Sequence, residues 1–90
     1  VKNIKLLANI APLIKHHHEY VDGTGHPGGL VGDDIPLASR IICLAEHVDE
    51  LRMRGVTSDS FQAAAAKMAT DGAGTRFDRA VVGAYLSLPV

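Results

Sequence analysis

Aromatic residues and net charge are both low in this sequence of 90 residues, which has two phenylalanines, two tyrosines, no tryptophan and a formal net charge of −1. With so few rings, aliphatic side chains and alanine must build the core. The nearly balanced charge provides no strong field to attract nucleic acid or a membrane surface, so neither is expected as a partner. No apolar run approaches the ~20 residues that cross a bilayer, and no signal-peptide pattern is present.

Cysteine is nearly absent as well, since Cys43 is the single one. A disulfide framework within the chain is thereby excluded, and the cytoplasm is the default location. Cys43 falls in the apolar run 41–44 and is predicted to be a small buried hydrophobic residue, with a reactive nucleophile as the alternative. The length allows one domain at most. Because the chain begins at Val1, we expect it to be a piece of a longer protein.

Four helical stretches are predicted, and no segment alternates with period two for long enough to form a strand, so the fold class is all-α. The helices are expected over residues 2–19, 36–54, 59–72 and 78–88. Pro12 predicts a kink or a fresh start within the first of them. Pro36 in the first turn and Gly55 just past the end mark the second. Gln62, three residues after Asp59, gives the third a capping-box-like start.

A glycine-rich loop connects the first two helices, with five glycines between Asp22 and Asp34. Its backbone N–H groups could bind a phosphate, or the loop could be a plain connection between helices. It is not a Walker loop, because no G-K-[ST] follows, and not a dinucleotide-binding fingerprint, because no strand precedes it. Glycine density alone leaves the two alternatives open.

Histidines cluster around the end of the first helix. Four of the five lie within eleven residues, and the fifth is on the second helix: His16, His17, His18, His26 and His47. Imidazoles that face a carboxylate such as Glu46 can build a metal centre, and carboxylates favour Mn, Mg or Fe(II). The alternative is a helix end at which histidines cap carbonyls. Spacing does not decide, because adjacent helical residues point about 100° apart and no H-x-x-x-H pair occurs.

Four segments, in order, resemble the signature blocks of the HD-GYP domain family. Residues 17–30, HHEYVDGTGHPGGL, are similar to HHExxDGxGYPxGL, and residues 32–41, GDDIPLASRI, are similar to GxxIPLxARI. Residues 44–51, LAEHVDEL, resemble VADxxDAL, and residues 74–78, GTRFD, resemble GTxFD. The resemblance covers nearly the whole chain.

The resemblance implies the C-terminal part of an HD-type helical bundle, with the N-terminal half and its His-Asp motif absent from the chain. It implies a metal-dependent phosphodiesterase that acts, in the full domain, on cyclic di-GMP or a related phosphodiester in the bacterial cytoplasm. The implied metal is Fe or Mn, of which this chain alone would hold one ion or none. A GGDEF-type protein is the implied partner.

The same resemblance implies roles for particular residues. The implied metal ligands are His17, His18 and Glu46, with Glu46 in the position of an aspartate. The implied supporting residues are Glu19 and Asp49. The implied loop and substrate residues are Asp22, Gly23, Gly25, His26, Pro27, Arg52 and Arg54, and no residue of this chain alone is implied as catalytic.

Three departures from the family pattern keep a second function open. Glu46 replaces aspartate, His26 replaces the tyrosine of GYP, and the D-R-P-Y-[RK] segment expected after Leu51 is missing. A domain that is catalytically competent in full-length form is one alternative, and a non-catalytic module for protein interaction or ligand sensing is the other. His26 would make docking pH-sensitive if the loop is a docking surface, and would matter little in an exposed linker.

The second helix has a continuous apolar face, formed by Leu37, Ile41, Leu44, Val48 and Leu51. Ile4 and Leu7 of the first helix add to the apolar surface. If the first helices of the bundle are absent, these side chains are partly uncovered, and exposed apolar patches tend to associate. We therefore expect the chain to form a homo-oligomer.

Overall fold

The computed structural model describes residues 2–56 and 58–89, and for residues 2–7, 58 and 59 it describes the backbone only. Four α-helices follow one another along the chain: α1, Lys2–Lys15; α2, Leu37–Met53; α3, Ser58–Gly72; and α4, Arg79–Leu86. A 3₁₀ turn at Gly32–Asp34 lies between α1 and α2, and the described residues contain no strand. The predicted all-α fold, with a loop between its first two helices, is confirmed. No described helix is long and apolar enough to cross a membrane.

The first helix ends earlier than predicted, at Lys15 rather than Glu19. A turn follows, in which the His17 N–H donates to the Ile14 carbonyl at 3.3 Å. The physical reason is Glu19, whose buried carboxylate binds the backbone of the glycine-rich loop instead of lying on a helix surface. Pro12 lies inside the continuous helix, so α1 makes no fresh start there.

The bounds of α2 agree with the prediction. Pro36 precedes its first residue, and Gly55 follows its end with a φ of +82°, in the left-handed region that glycine adopts without strain. The buried core gathers around this helix and comprises Cys43, Leu44, Ala69, Phe77 and Val82. Burial raises the pKa of the Cys43 thiol to about 11. Cys43 is therefore a buried, protonated core residue, as predicted.

The third helix brings small side chains to the core. Ala65 and Ala69 are fully buried and let α3 lie close to α2. The helix begins at Ser58, and the side chain of Asp59, which carries the predicted capping box, lies outside the described residues. After α3, the ring of Phe77 packs so closely on Gly72 that a Cβ there would lie 2.7 Å from the ring.

A largely buried ion pair joins α2 to the start of α4. The Arg40 guanidinium donates to the Asp78 carboxylate at 2.7 Å and to the Ile35 carbonyl at 3.0 Å. Asp78 is the N-cap of α4, and its other oxygen accepts from the N–H groups of Ala80 and Val81. The side chains of Arg40 and Asp78 are only 13% and 15% exposed. This network joins the end of the 3₁₀ turn, α2 and α4 at one point.

We expect the protein to lose stability as the pH falls below about 4. Burial alone would raise the pKa of Asp78, but hydrogen bonds from Arg40, Val81 and Ala80 hold it below its ordinary value. The resulting stabilisation is fully present above the ordinary carboxyl pKa and is lost as the pH falls through the lower pKa of the folded chain. Urea unfolding from about pH 7 to about pH 3 measures it.

Asp78→Asn is the matched control for this pH dependence, because the amide cannot titrate but still caps α4. Its stability should fall less steeply with pH than that of the wild-type protein. Identical slopes for the two proteins would show that Asp78 does not contribute to the acid sensitivity.

Part of the apolar face of α2 is uncovered. Leu37 and Ile41 are 55% and 50% exposed and line a groove of about 630 Å³ between α2 and α4. Leu44 is buried, belongs to the core and also lines this groove, so the face predicted from periodicity contributes to both the core and the groove. The side chains of Ile4 and Leu7 lie outside the described residues. The homo-oligomer expected from this surface stays a prediction.

Candidate metal centre

Three predicted metal ligands meet where the turn after α1 lies against α2. One ring nitrogen each of His17 and His18 and a carboxylate oxygen of Glu46 all lie within 4.8 Å of one another. His17 Nε2 is 3.0 Å from Glu46 Oε2. Because the two histidines lie in a turn, the 100° separation of helical neighbours does not keep them apart. We call these three residues the His–Glu cluster.

The two nitrogens of the His17 ring have different partners. Nδ1 contacts the carbonyl oxygen of Ile14, and since a carbonyl can only accept, Nδ1 carries the hydrogen. In the neutral form of this tautomer, Nε2 would direct a lone pair at the Glu46 carboxylate, which is another acceptor. Two facing acceptors repel each other unless a cation, either a proton or a metal ion, lies between them. The sequence left two alternatives open for these histidines, the capping of a carbonyl and the binding of a metal. In His17 the two are compatible, because each uses a different ring nitrogen.

His18 lies between two other histidine rings. Its ring centroid is 3.9 Å from that of His17 and 5.4 Å from that of His26, and the second pair is stacked. The His26 N–H also donates to the His18 carbonyl, at 3.2 Å. Gly25 approaches the same carbonyl so closely that a Cβ could not fit. His26 is exposed, as in the linker alternative, but it lies against a candidate ligand rather than free in solvent.

Glu19 anchors the glycine-rich loop. Its buried carboxylate accepts hydrogen bonds from the N–H groups of Gly28, at 2.8 Å, and Leu30, at 3.0 Å, and from His16 Nδ1, at 3.0 Å. Burial alone would raise the pKa of Glu19, but these hydrogen bonds hold it below its ordinary value. Since its oxygens are occupied by these donors, Glu19 holds the loop rather than joining the His–Glu cluster.

Three further loop residues implied by the resemblance maintain the shape of the loop or lie at its surface. Asp22 Oδ1 accepts from the hydroxyl and the backbone N–H of Thr24, at 2.6 and 2.9 Å, and these bonds lower the pKa of Asp22. Gly23 has a φ of +85°, which favours glycine. Pro27 is exposed. These three residues lie outside the His–Glu cluster.

A recess of about 400 Å³ adjoins the cluster along α2, and we call it the cluster recess. It is lined by His18, Tyr20, Glu46, His47, Asp49, Glu50 and Met53. The Tyr20 hydroxyl lies 3.4 Å from His47 Nε2, and His47 Nδ1 donates to the Cys43 carbonyl at 2.7 Å. Sequence reasoning assigns no site role to Tyr20 or His47. The position of His47 next to Glu46 is the one signal that could have identified it.

The two arginines implied as substrate residues lie on different sides of α2. The Arg52 guanidinium is 4.7 Å from the centre of the Phe61 ring, and Arg52 lines the apolar groove instead of the cluster recess. Arg54 is exposed, and its guanidinium lies 2.8 Å from the carboxylate of Glu50. Glu50 is one helical turn closer to the cluster than Arg54. Of the two, only Arg54 therefore lies on the side of α2 that carries Glu46.

Known proteins share much of this sequence. A family model for the HD domain matches residues 1–81. A probable cyclic di-GMP phosphodiesterase of Vibrio cholerae serotype O1 is 43% identical over 82 residues, which are 89% of this chain and 19% of that protein. A cyclic di-GMP phosphodiesterase of the same organism is 42% identical over 73 residues, which are 80% of this chain and 15% of that protein.

A shorter match is to the 3'3'-cGAMP-specific phosphodiesterase 3 of Vibrio cholerae serotype O1, which is 48% identical over 42 residues, 47% of this chain and 9% of that protein. The chain thus spans about a fifth or less of the length of the curated relatives it matches.

Proposed function

This chain belongs to the HD domain family, in its HD-GYP group, and from that membership we propose that it forms part of a metal-dependent phosphodiesterase whose substrate is cyclic di-GMP. The observation that carries the proposal is the His–Glu cluster, in which two imidazoles and a carboxylate converge within 4.8 Å. Two relatives that match 80% or more of this chain are named as a probable cyclic di-GMP phosphodiesterase and a cyclic di-GMP phosphodiesterase, and they support the choice of substrate.

The donor set of the cluster fits a divalent metal ion. Two imidazole nitrogens and one carboxylate oxygen suit Fe or Mn. When bound, the metal would act as a Lewis acid on the scissile phosphodiester. The residues of the chain orient the ligands: the Ile14 carbonyl holds the His17 ring so that Nε2 points at Glu46. Because the cluster supplies only three protein ligands, a bound metal would keep coordination positions for water, substrate and side chains from outside the cluster.

A non-catalytic module is the second candidate, and two observations favour it. The His26 ring stacks on His18 and covers one side of that candidate ligand. Glu46, with a longer arm than the aspartate of the family pattern, already reaches His17. Such a domain could keep its fold and bind a protein or a small ligand without hydrolysis. A GGDEF-type partner and a bacterial cytoplasmic location stay predictions.

We expect the protein, purified without an affinity tag, to bind one Mn²⁺ ion per chain, and His18→Ala to weaken this binding at least about tenfold. Residues that only orient metal ligands contribute about 10–100-fold to affinity, so loss of a ligand should cost no less. Titration calorimetry with elemental analysis measures both quantities. In the full-length protein, His18→Ala should also abolish the hydrolysis of cyclic di-GMP, followed by chromatography of the product.

His47→Gln is the matched control, because His47 lines the cluster recess without belonging to the cluster. It should leave the affinity for Mn²⁺ close to the wild-type value. Unchanged metal binding by His18→Ala would show that the cluster is not the site, and two or more tightly bound ions per chain would contradict a single site. A full-length protein that binds the metal but leaves cyclic di-GMP intact would favour the non-catalytic module.

A further inference from the structure

His26 of the glycine-rich loop lies beside the His–Glu cluster without belonging to it. Its ring stacks on that of His18, with the centroids 5.4 Å apart and the planes 26° from parallel. Among the residues that the structure describes, none forms a hydrogen bond with either nitrogen of the His26 ring, which is exposed. Both nitrogens are therefore available to a ligand from outside the protein.

The backbone on both sides of His26 is held against the turn that carries the cluster. The His26 N–H donates to the His18 carbonyl at 3.2 Å. The preceding residue, Gly25, approaches the same carbonyl so closely that a Cβ could not fit. Two residues after His26, the Gly28 N–H donates to the buried carboxylate of Glu19 at 2.8 Å. The loop therefore keeps the Cα of His26 next to His18, and only the exposed side chain has to rotate to reach an ion at the cluster.

A ligand from His26 would change which metal the centre prefers. The cluster alone offers two imidazoles and one carboxylate, and with His26 the set becomes three imidazoles and one carboxylate. Imidazole suits zinc, whereas carboxylate, carbonyl and water suit manganese. Four nitrogen and oxygen ligands from the protein also match the coordination number that zinc adopts in structural sites. The added imidazole should therefore raise the affinity for Zn²⁺ much more than the affinity for Mn²⁺.

We propose that His26 is a fourth protein ligand of the metal centre and that it shifts the preference of this chain toward Zn²⁺. The tyrosine of the family pattern offers a neutral hydroxyl at this position, so the shift belongs to this sequence and not to the pattern. The inference rests on the proposed function, because it takes the His–Glu cluster as the metal site. It adds that a bound zinc ion ties the glycine-rich loop to the turn after α1.

Titration calorimetry with Zn²⁺ and with Mn²⁺, on protein purified without an affinity tag, measures the preference. His26→Tyr should weaken the binding of Zn²⁺ at least about tenfold and change that of Mn²⁺ less than about twofold. His47→Gln removes a histidine that lines the cluster recess outside the cluster, and it should affect neither metal. Equal affinity of His26→Tyr and the wild-type protein for Zn²⁺ would overturn the proposal. Equal losses for both metals would also overturn it, because they indicate a general loosening of the loop.

His26→Cys gives a readout that a purely structural role of His26 would not change. A thiolate is a strong zinc ligand, so this variant should bind Zn²⁺ at least about tenfold more tightly than His26→Tyr. With Co²⁺ in place of Zn²⁺, it should show the near-ultraviolet charge-transfer absorption of a cobalt–thiolate bond. The wild-type protein should show none, because burial raises the pKa of its single thiol, that of Cys43, to about 11. Absence of this band from His26→Cys would contradict ligation by residue 26.

Failure of this inference can be told apart from failure of the proposed function by adding His18→Ala to the same titrations. If His18→Ala loses both metals while His26→Tyr binds Zn²⁺ as tightly as the wild-type protein, the fourth ligand is wrong and the proposed metal centre stands. If His18→Ala binds Zn²⁺ and Mn²⁺ as tightly as the wild-type protein, the His–Glu cluster is not the metal site, and the inference falls with the proposed function.

Discussion

Replacement of Arg40 by methionine is expected to lower the free energy of unfolding by about 3 kcal/mol. Removal of one partner from a buried pair leaves the other charge uncompensated, and the side chain of Asp78 is only 15% exposed. The same substitution removes the hydrogen bond to the Ile35 carbonyl. A loss of this size is a large fraction of the stability of a small domain, so Arg40→Met should unfold at a much lower urea concentration than the wild-type protein.

Two further variants separate the unpaired charge from the lost packing. Asp78→Asn, added to Arg40→Met, removes the charge but keeps an acceptor for the N-cap of α4, and should restore at least about 1 kcal/mol. Arg54→Met breaks an exposed pair with Glu50 and should cost less than about 0.5 kcal/mol. Urea unfolding followed by circular dichroism measures all three. Equal destabilisation by Arg40→Met and Arg54→Met would show that burial of the first pair has no importance.

Replacement of Glu19 by alanine is expected to cost about 2–3 kcal/mol and to loosen the glycine-rich loop. The substitution leaves the N–H groups of Gly28 and Leu30 without their acceptor, in a place where Glu19 is only 1% exposed. Because the Glu19 carboxylate also accepts a hydrogen bond from His16, the residue before the candidate ligand His17, the substitution should also weaken the binding of metal by the His–Glu cluster. Urea unfolding and metal titration measure the two effects.

The loosening can be localised by hydrogen exchange. The amides of Gly28 and Leu30 should exchange faster in Glu19→Ala than in the wild-type protein. Glu19→Gln keeps the shape but replaces one of the two accepting oxygens by NH₂, so its cost should be smaller. Asp22→Ala is the control, since it removes an exposed carboxylate of the same loop whose bonds are to Thr24 alone. Unchanged exchange at Gly28 in Glu19→Ala would contradict the anchoring role.

The sequence predicted which residues form the candidate site, but it did not predict how they are arranged. His17, His18 and Glu46 are named by motif blocks, which record residue types in order along the chain. The prediction that α1 continues to Glu19 was wrong, because helical periodicity cannot register a competing partner for that carboxylate. The bend of the chain at this point is what lets both histidines reach Glu46.

By itself, the sequence determined the all-α class, the four helices, the glycine-rich loop and the residue types of the His–Glu cluster, because propensity, periodicity and turn chemistry are local properties. Only the tertiary structure decided which polar side chains pair. Glu19 binds an N–H eleven residues away, and Arg40 reaches Asp78 across 38 residues. Such pairs depend on how one helix packs against another, and the pattern of a single helix contains no information about the group that faces it.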